Sequence, residues 1–358
     1  MINSLFSTIN KNNILKFCLN FTIIGLILLK LLNHITMKRG LNLVFAILLI
    51  TSTALAQSKA TLSAEIYGYK QDMVYFDCMQ TPFIRSEFHT NPGEIHCYTF
   101  DCDGLMCMMI NSRTKVLLQP GDSLHVSISY EGRNVKSIKF SGSERAVKNN
   151  NMFRSIDNIK RSMRYRSQLL GCVALDIKPK SRIEDSRTLQ TKVNAMLASS
   201  PASTEAKEYA SAIIDSDVYI SFMEYPVMYA SVRGLPIDKQ EIGDYASIMN
   251  DAVLRSDAQA MNCPEYASLL MRYCFYKNEM EAAKSGSTYQ MPTRFEDMYK
   301  ELATFYKDEQ RDFVLYTLLC NFIKNGQEIE RADALYSDYI ENYNKNQNYK
   351  KVLDSLLQ

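Results

Sequence analysis

No two of the nine cysteines stand at C-x-x-C spacing. That absence removes the dithiol motif of thioredoxin-type redox enzymes. There is no G-x-S-x-G elbow, no Walker loop and no Gly-rich phosphate loop. The local signatures of serine hydrolases and nucleotide-binding enzymes are therefore missing. Uninterrupted apolar runs are short as well. The longest candidate, Phe17 to Leu32, is broken by Asn20 and Lys30 and falls short of the ~18 apolar residues a spanning helix needs. No catalytic residue, cofactor or metal is expected from these patterns.

What is present begins at Met37. Met37-Lys38-Arg39 is a short basic start, and Leu41 to Ile50 is apolar except for Asn42. Thr51-Ser52-Thr53 turns polar, and Ala54-Leu55-Ala56 supplies a small-x-small cleavage site. This order is that of a secretory signal. The expectation is a periplasmic or exported protein cleaved after Ala56, with residues 1–36 an upstream extension. No Cys follows Ala56 directly, which argues against a lipid anchor. Phe17–Leu32 offers the sole membrane contact, as an alternative N-terminal anchor.

Removing residues 1–56 from 358 leaves 302, enough for two domains. Those 56 residues hold five Lys/Arg and no acid, so 41 basic residues fall to 36 against 39 acidic, a net charge of −3. A mature surface without basic clusters argues against nucleic acid as a partner.

Between 57 and 142 the pattern is that of strands. Leu62, Ala64 and Ile66 alternate with polar residues, as do Val74, Phe76 and Cys78. In Ser123–Tyr130, Leu124, Val126, Ile128 and Tyr130 point one way and His125 with three serines the other, which makes His125 a solvated residue. Pro120-Gly121 suits a type II turn, Glu131–Asn134 is a break, and Asp103-Gly104 suits a two-residue hairpin. From 143 to 358 the period becomes helical. Met152, Phe153, Ile156, Ile159 and Met163 recur at three- and four-residue spacing. Pro201 stops one helix, Pro264 starts another, and Asn325-Gly326 closes a third. Asp238 with Glu241 and Thr293 with Glu296 have capping-box spacing. Seven or eight helices are expected, with 277–293 the most loop-like stretch. The fold class is α+β: a small antiparallel β-sandwich or barrel over 57–142, then an all-α domain over 143–358.

This order of parts resembles the N-terminal half of periplasmic TlpA-like thiol-disulfide oxidoreductases. Phe88–Glu94 (FHTNPGE), Ile110–Ser123 (INSRTKVLLQPGDS), the FSGS exit at Phe140–Ser143 and the last helices, Tyr339–Leu357, carry the likeness. In that family a thioredoxin domain with the catalytic C-x-x-C follows, whereas this chain stops at Gln358. The resemblance thus implies an exported accessory or binding module without catalytic cysteines of its own. Its partner would be a thioredoxin-like domain or another envelope protein. Two alternatives stay open: thiol exchange through a non-standard cysteine pair, or a helical module that binds a peptide or glycan.

Cys102 and Cys107 are the nearest redox candidates. A hairpin at Asp103-Gly104 would pair Cys102 with Leu105, Phe100 with Cys107 and Cys97 with Ile110. The two thiols would then share a face but lie diagonally, ~7–8 Å apart, beyond the ~5.5–6 Å Cα separation a disulfide prefers. His89, His96, Cys97, Asp101 and Asp103 are suitable metal-ligand types but follow no recognised ligand spacing.

Overall fold

The computed structural model describes residues 59–69, 73–80, 85–89, 94–132, 134–166, 177–324 and 329–357; for 73–74, 85–89 and 329–330 only the backbone is described. The signal segment, the cut after Ala56, the upstream apolar run, Cys172 and the Asn325-Gly326 stop lie outside the described residues. Among those described, no helix is long and apolar enough to cross a membrane.

The fold is α+β. Among the described residues, eight strands come first: β1 Lys59–Tyr67, β2 Met73–Cys78, β3 Arg85–His89, β4 His96–Asp101, β5 Met106–Ile110, β6 Thr114–Leu118, β7 Ser123–Glu131 and β8 Asn134–Gly142. They form two four-stranded sheets, ordered β4-β1-β7-β8 and β3-β2-β5-β6. All neighbours are antiparallel except β1 and β7, which run parallel with Leu62 beside Leu124. The two sheets remain open and do not close into a barrel.

Alternation explains the inner layer. Leu62, Ala64 and Ile66 of β1 and Leu124, Val126 and Ile128 of β7 are buried. They share one apolar cluster with Phe76, Met108, Ile110, Val116 and Leu118 of the second sheet. The Pro120-Gly121 turn is type II, with Gly121 at φ 82° and the Asp122 N–H donating to Gln119 O at 2.9 Å. At Gly142 the backbone takes φ 128°, and a Cβ there would stand 2.1 Å from Ser123 O. A side chain cannot be placed where β8 hands over to the helices.

The hairpin expected at Asp103-Gly104 does not form. β4 pairs with β1, and β5 pairs with β2 and β6, so the chain changes sheets over Cys102–Leu105. Burial gives the reason. β4 keeps one exposed face, with Cys97, Thr99 and Asp101 outward, whereas Cys107, Met108 and Ile110 of β5 are all buried. A strand covered on both faces belongs in the middle of the molecule.

Eight α-helices follow among the described residues: α1 Glu144–Ser162, α2 Pro179–Ser199, α3 Thr204–Arg233, α4 Pro264–Lys284, α5 Phe295–Phe305, α6 Asp308–Lys324, α7 Ile329–Asn342 and α8 Gln347–Leu356. Ser203 caps α3 through its hydroxyl, which accepts the Ala206 N–H, and Gly234 ends it at φ 62°. Pro264 opens α4 at its first turn. Two expected capping boxes are absent. Asp238 lies in a single 3-10 turn, with Glu241 beyond it at φ 58°. Before α5 the N-cap is Arg294, and the Glu296 carboxylate turns away to Arg331. The stretch from 277 is helical as far as Lys284, because Tyr276 and Met280 still reach the core.

The helical core includes Leu105, Cys107 and Leu117. The second sheet is thus covered on one side by the first sheet and on the other by helices, and residues 59–358 form one compact unit.

Candidate functional site

Among the described residues, a cleft of about 950 Å³ opens between three walls. One wall is the crossover between the sheets, Asp101–Met106, together with Met79 and Gln80. A second is the segment Ser256–Pro264, and the third runs along α6 and the residues from Lys345 to Val352.

Specific bonds hold these walls. The Tyr316 hydroxyl on α6 donates to Gln80 O at 3.3 Å, and the Asn262 side chain donates to Leu105 O at 2.8 Å. Tyr349 donates to Met261 O and stacks on Tyr316, with ring centroids 4.1 Å apart and planes 7° from parallel. The buried Asp312 carboxylate fixes the far wall. Its Oδ2 accepts the backbone N–H groups of Lys345 and Asn346, both at 2.9 Å, and its Oδ1 accepts from Tyr339.

Two carboxamides in the walls are incompletely bonded. The Gln80 Oε1 accepts the Cys107 N–H at 3.0 Å, which sets the orientation of its amide. Gln80 Nε2 and Gln259 Oε1 are buried without a partner among the described residues. The rim is charged. Asp101, Asp103, Lys324 and Lys351 are exposed, and none of the four forms an ion pair among the described residues.

The two redox candidates do not meet. Cys102 lies in the interior between the sheets, its thiol donating to Gly104 O at 3.1 Å. Cys107 faces the helices. Burial pushes each thiol up to about 12. It does the same for Cys274 and for Cys320, which lines the cleft. Thiolate, the attacking species, is scarce at such values. None of the seven described cysteines is in a disulfide, and Cys97 is the exposed one among them.

No group of three or more His, Cys, Asp or Glu side chains is placed to hold a metal among the described residues. His96 lies 3.8 Å from Glu94, and the side chain of His89 is outside the description. His125 departs from expectation. It is half-buried, with Nδ1 3.0 Å from the Ser63 hydroxyl and Nε2 3.6 Å from Glu65. The parallel neighbour β1 brings those two residues alongside it, and local alternation does not name a strand's neighbour.

Sequence reasoning missed Gln80, Gln259 and Asp312. The only local signal is an acidic residue, Asp312, set among the apolar residues of α6. Comparison with protein-family models, with curated proteins and with solved structures finds no match to this chain.

Proposed function

We propose that the chain is an exported accessory module that binds a partner through the cleft and performs no thiol chemistry of its own. The observation that carries this reading is the cleft itself. It is large, more apolar than polar at its walls and charged at its rim, while the thiols around it are buried and held protonated. Export rests on the signal-like segment Met37–Ala56, and the accessory role on the likeness to the non-catalytic half of TlpA-like proteins. A thioredoxin-like domain or another envelope protein is the partner this likeness suggests. Thiol exchange, the rival reading, needs an attacking and a resolving thiol close together, and Cys102 and Cys107 lie in separate cores.

Insulin reduction with dithiothreitol as electron donor tests this reading. The purified protein is expected to match a variant with every cysteine changed to Ser. With Cys18 and Cys172 changed to Ser, one fast-reacting thiol is expected near neutral pH, and Cys97→Ser should remove it. Insulin turnover lost on Cys102→Ser or Cys107→Ser would replace the binding module with an enzyme.

A further inference from the structure

One edge of the first sheet is open. β4 is its last strand, and among the described residues only β1 pairs with it. The hydrogen bonds of β1 say which β4 residues face out. The Thr61 N–H donates to Asp122 O at 2.9 Å, and Lys59 O accepts the Gly121 N–H at 2.8 Å. Lys59 and Thr61 thus turn their peptide groups towards β7. Ala60, Leu62 and Ala64 turn theirs towards β4, where they meet Phe100, Tyr98 and His96. The N–H and C=O groups of Cys97, Thr99 and Asp101 therefore point away from the sheet. None of these groups has a partner among the described residues, and all three residues are exposed.

Such an edge is a template for a further strand unless something guards it. β8, the opposite edge, carries exposed Lys136 and Lys139. β4 has no such guard. No Lys, Arg or Pro lies between Glu94 and Asp103, and Ile95 just before the strand is 58% exposed.

β4 is also complementary to itself. Turned about a two-fold axis through Thr99, it sets Cys97 opposite Asp101 of a second copy, and Thr99 opposite Thr99. The outward peptide groups then fall at hydrogen-bonded positions, where each pair exchanges both of its N–H···O bonds. Tyr98 and Phe100 of the second copy meet at a closely spaced position, where aromatic pairs are favourable. Tyr98 is half-buried and its ring already stacks on Phe100 of its own strand, with centroids 5.3 Å apart. An axis through Tyr98 would instead set His96 against Phe100, and one through Phe100 would set Tyr98 against Cys102. With the axis at Thr99 the one acidic residue of the strand, Asp101, faces a thiol and not its own copy.

We infer that β4 is a dimer interface, where a second copy of this chain adds antiparallel about Thr99 and joins two four-stranded sheets into one. The dimer goes beyond the binding role proposed above and does not depend on what the cleft holds.

Sedimentation velocity over a concentration series tests it, with Cys18 and Cys172 changed to Ser. A reversible dimer is expected. Thr99→Lys sets two like charges face to face on the axis, and within the chain it removes only the exposed bond between the Thr61 and Thr99 hydroxyls. It should weaken the dimer at least tenfold. Ser137→Lys on the opposite edge should leave it unchanged, and melts followed by circular dichroism verify that both variants are folded. Crosslinking reads the register independently. Opposed residues of a hydrogen-bonded pair have Cα atoms ~5.5 Å apart, within disulfide range. Asp101→Cys should therefore give a covalent dimer on oxidation with copper phenanthroline, and adding Cys97→Ser should abolish it. In the parent the two copies of Cys97 stand four residues out of register, ~13 Å apart, and should stay uncrosslinked. A monomer at every concentration overturns the inference. So does a dimer that Thr99→Lys leaves intact, or a covalent dimer that survives Cys97→Ser. The insulin assay reads none of these outcomes, so the dimer and the binding module fail separately.

Discussion

The carboxamide of Asn150 bonds to both backbone polar groups of Leu117. Its Oδ1 accepts the Leu117 N–H and its Nδ2 donates to the Leu117 carbonyl, each at 2.8 Å. β6 is the last strand of its sheet, and here a side chain of α1 takes the place of a further strand. Asn149 extends the seam, donating to Gln119 Oε1 at 2.9 Å and accepting the Ser203 N–H at 2.9 Å. Three elements, β6, α1 and the start of α3, are fastened by two adjacent asparagines.

Asn150→Ala should therefore be among the most damaging polar substitutions. It strands a buried N–H and a buried carbonyl, a loss of about 2–4 kcal/mol. A lowered urea midpoint with an unchanged slope would record it.

Asp312→Ala releases the Lys345 and Asn346 N–H groups together with the Tyr339 hydroxyl. Charge-assisted bonds of this kind are the strong ones, and the expected cost is about 2–4 kcal/mol. The effect should also be local. Trypsin should cut after Lys345 much faster in the variant than in the parent, because the turn before α8 loses its anchor.

Lys115 of β6 pairs with Glu265 in the first turn of α4. Burial alone would raise the Glu265 carboxyl, but the Lys115 ammonium outweighs it and holds that carboxyl below its ordinary value. Lys115→Met leaves a half-buried carboxylate unpaired and should cost about 2–4 kcal/mol. Adding Glu265→Gln should recover much of that loss. A double-mutant cycle from urea unfolding measures the coupling; additive losses would show that the pair is unimportant.

Glu296 offers a pH handle. Arg331 hydrogen-bonds its carboxylate and holds it down at about 2. A folded-state value below the unfolded one stabilises above the ordinary carboxyl range. That contribution is lost as pH falls from about 5 towards 2. The gap in urea midpoint between the parent and Glu296→Gln should stay constant from pH 6 to 8 and close near pH 2. High salt should narrow it, since the pair is close to solvent.

Parts of this fold were legible and others were not, for identifiable reasons. The inward row Leu124, Val126, Ile128 follows from strict alternation, and the helix at Pro264 from its start signal. Pairing partners did not follow. Alternation in β7 is the same whether its neighbour is parallel β1 or something else, so Ser63 and Glu65 beside His125 were invisible. The hairpin at Asp103-Gly104 was read from its turn residues. The near-continuous apolar run Leu105–Ile110, a sign of a doubly covered strand, argued against it. The cleft was least accessible, because its walls come from Met79 through Val352 and its amides look locally like loop residues.

The bond from Tyr316 to Gln80 closes a loop of 236 residues, and that from Asn262 to Leu105 one of 157. Closing such loops comes late, and chains rich in distant contacts fold slowly. As the polypeptide emerges from its N-terminal end, both sheets are complete once Gly142 is out. Leu105, Cys107 and Leu117 then still await the helices that cover them. A newly made chain is thus sticky on one side of its second sheet until α1 and α3 arrive, and it is in that interval that aggregation competes with folding.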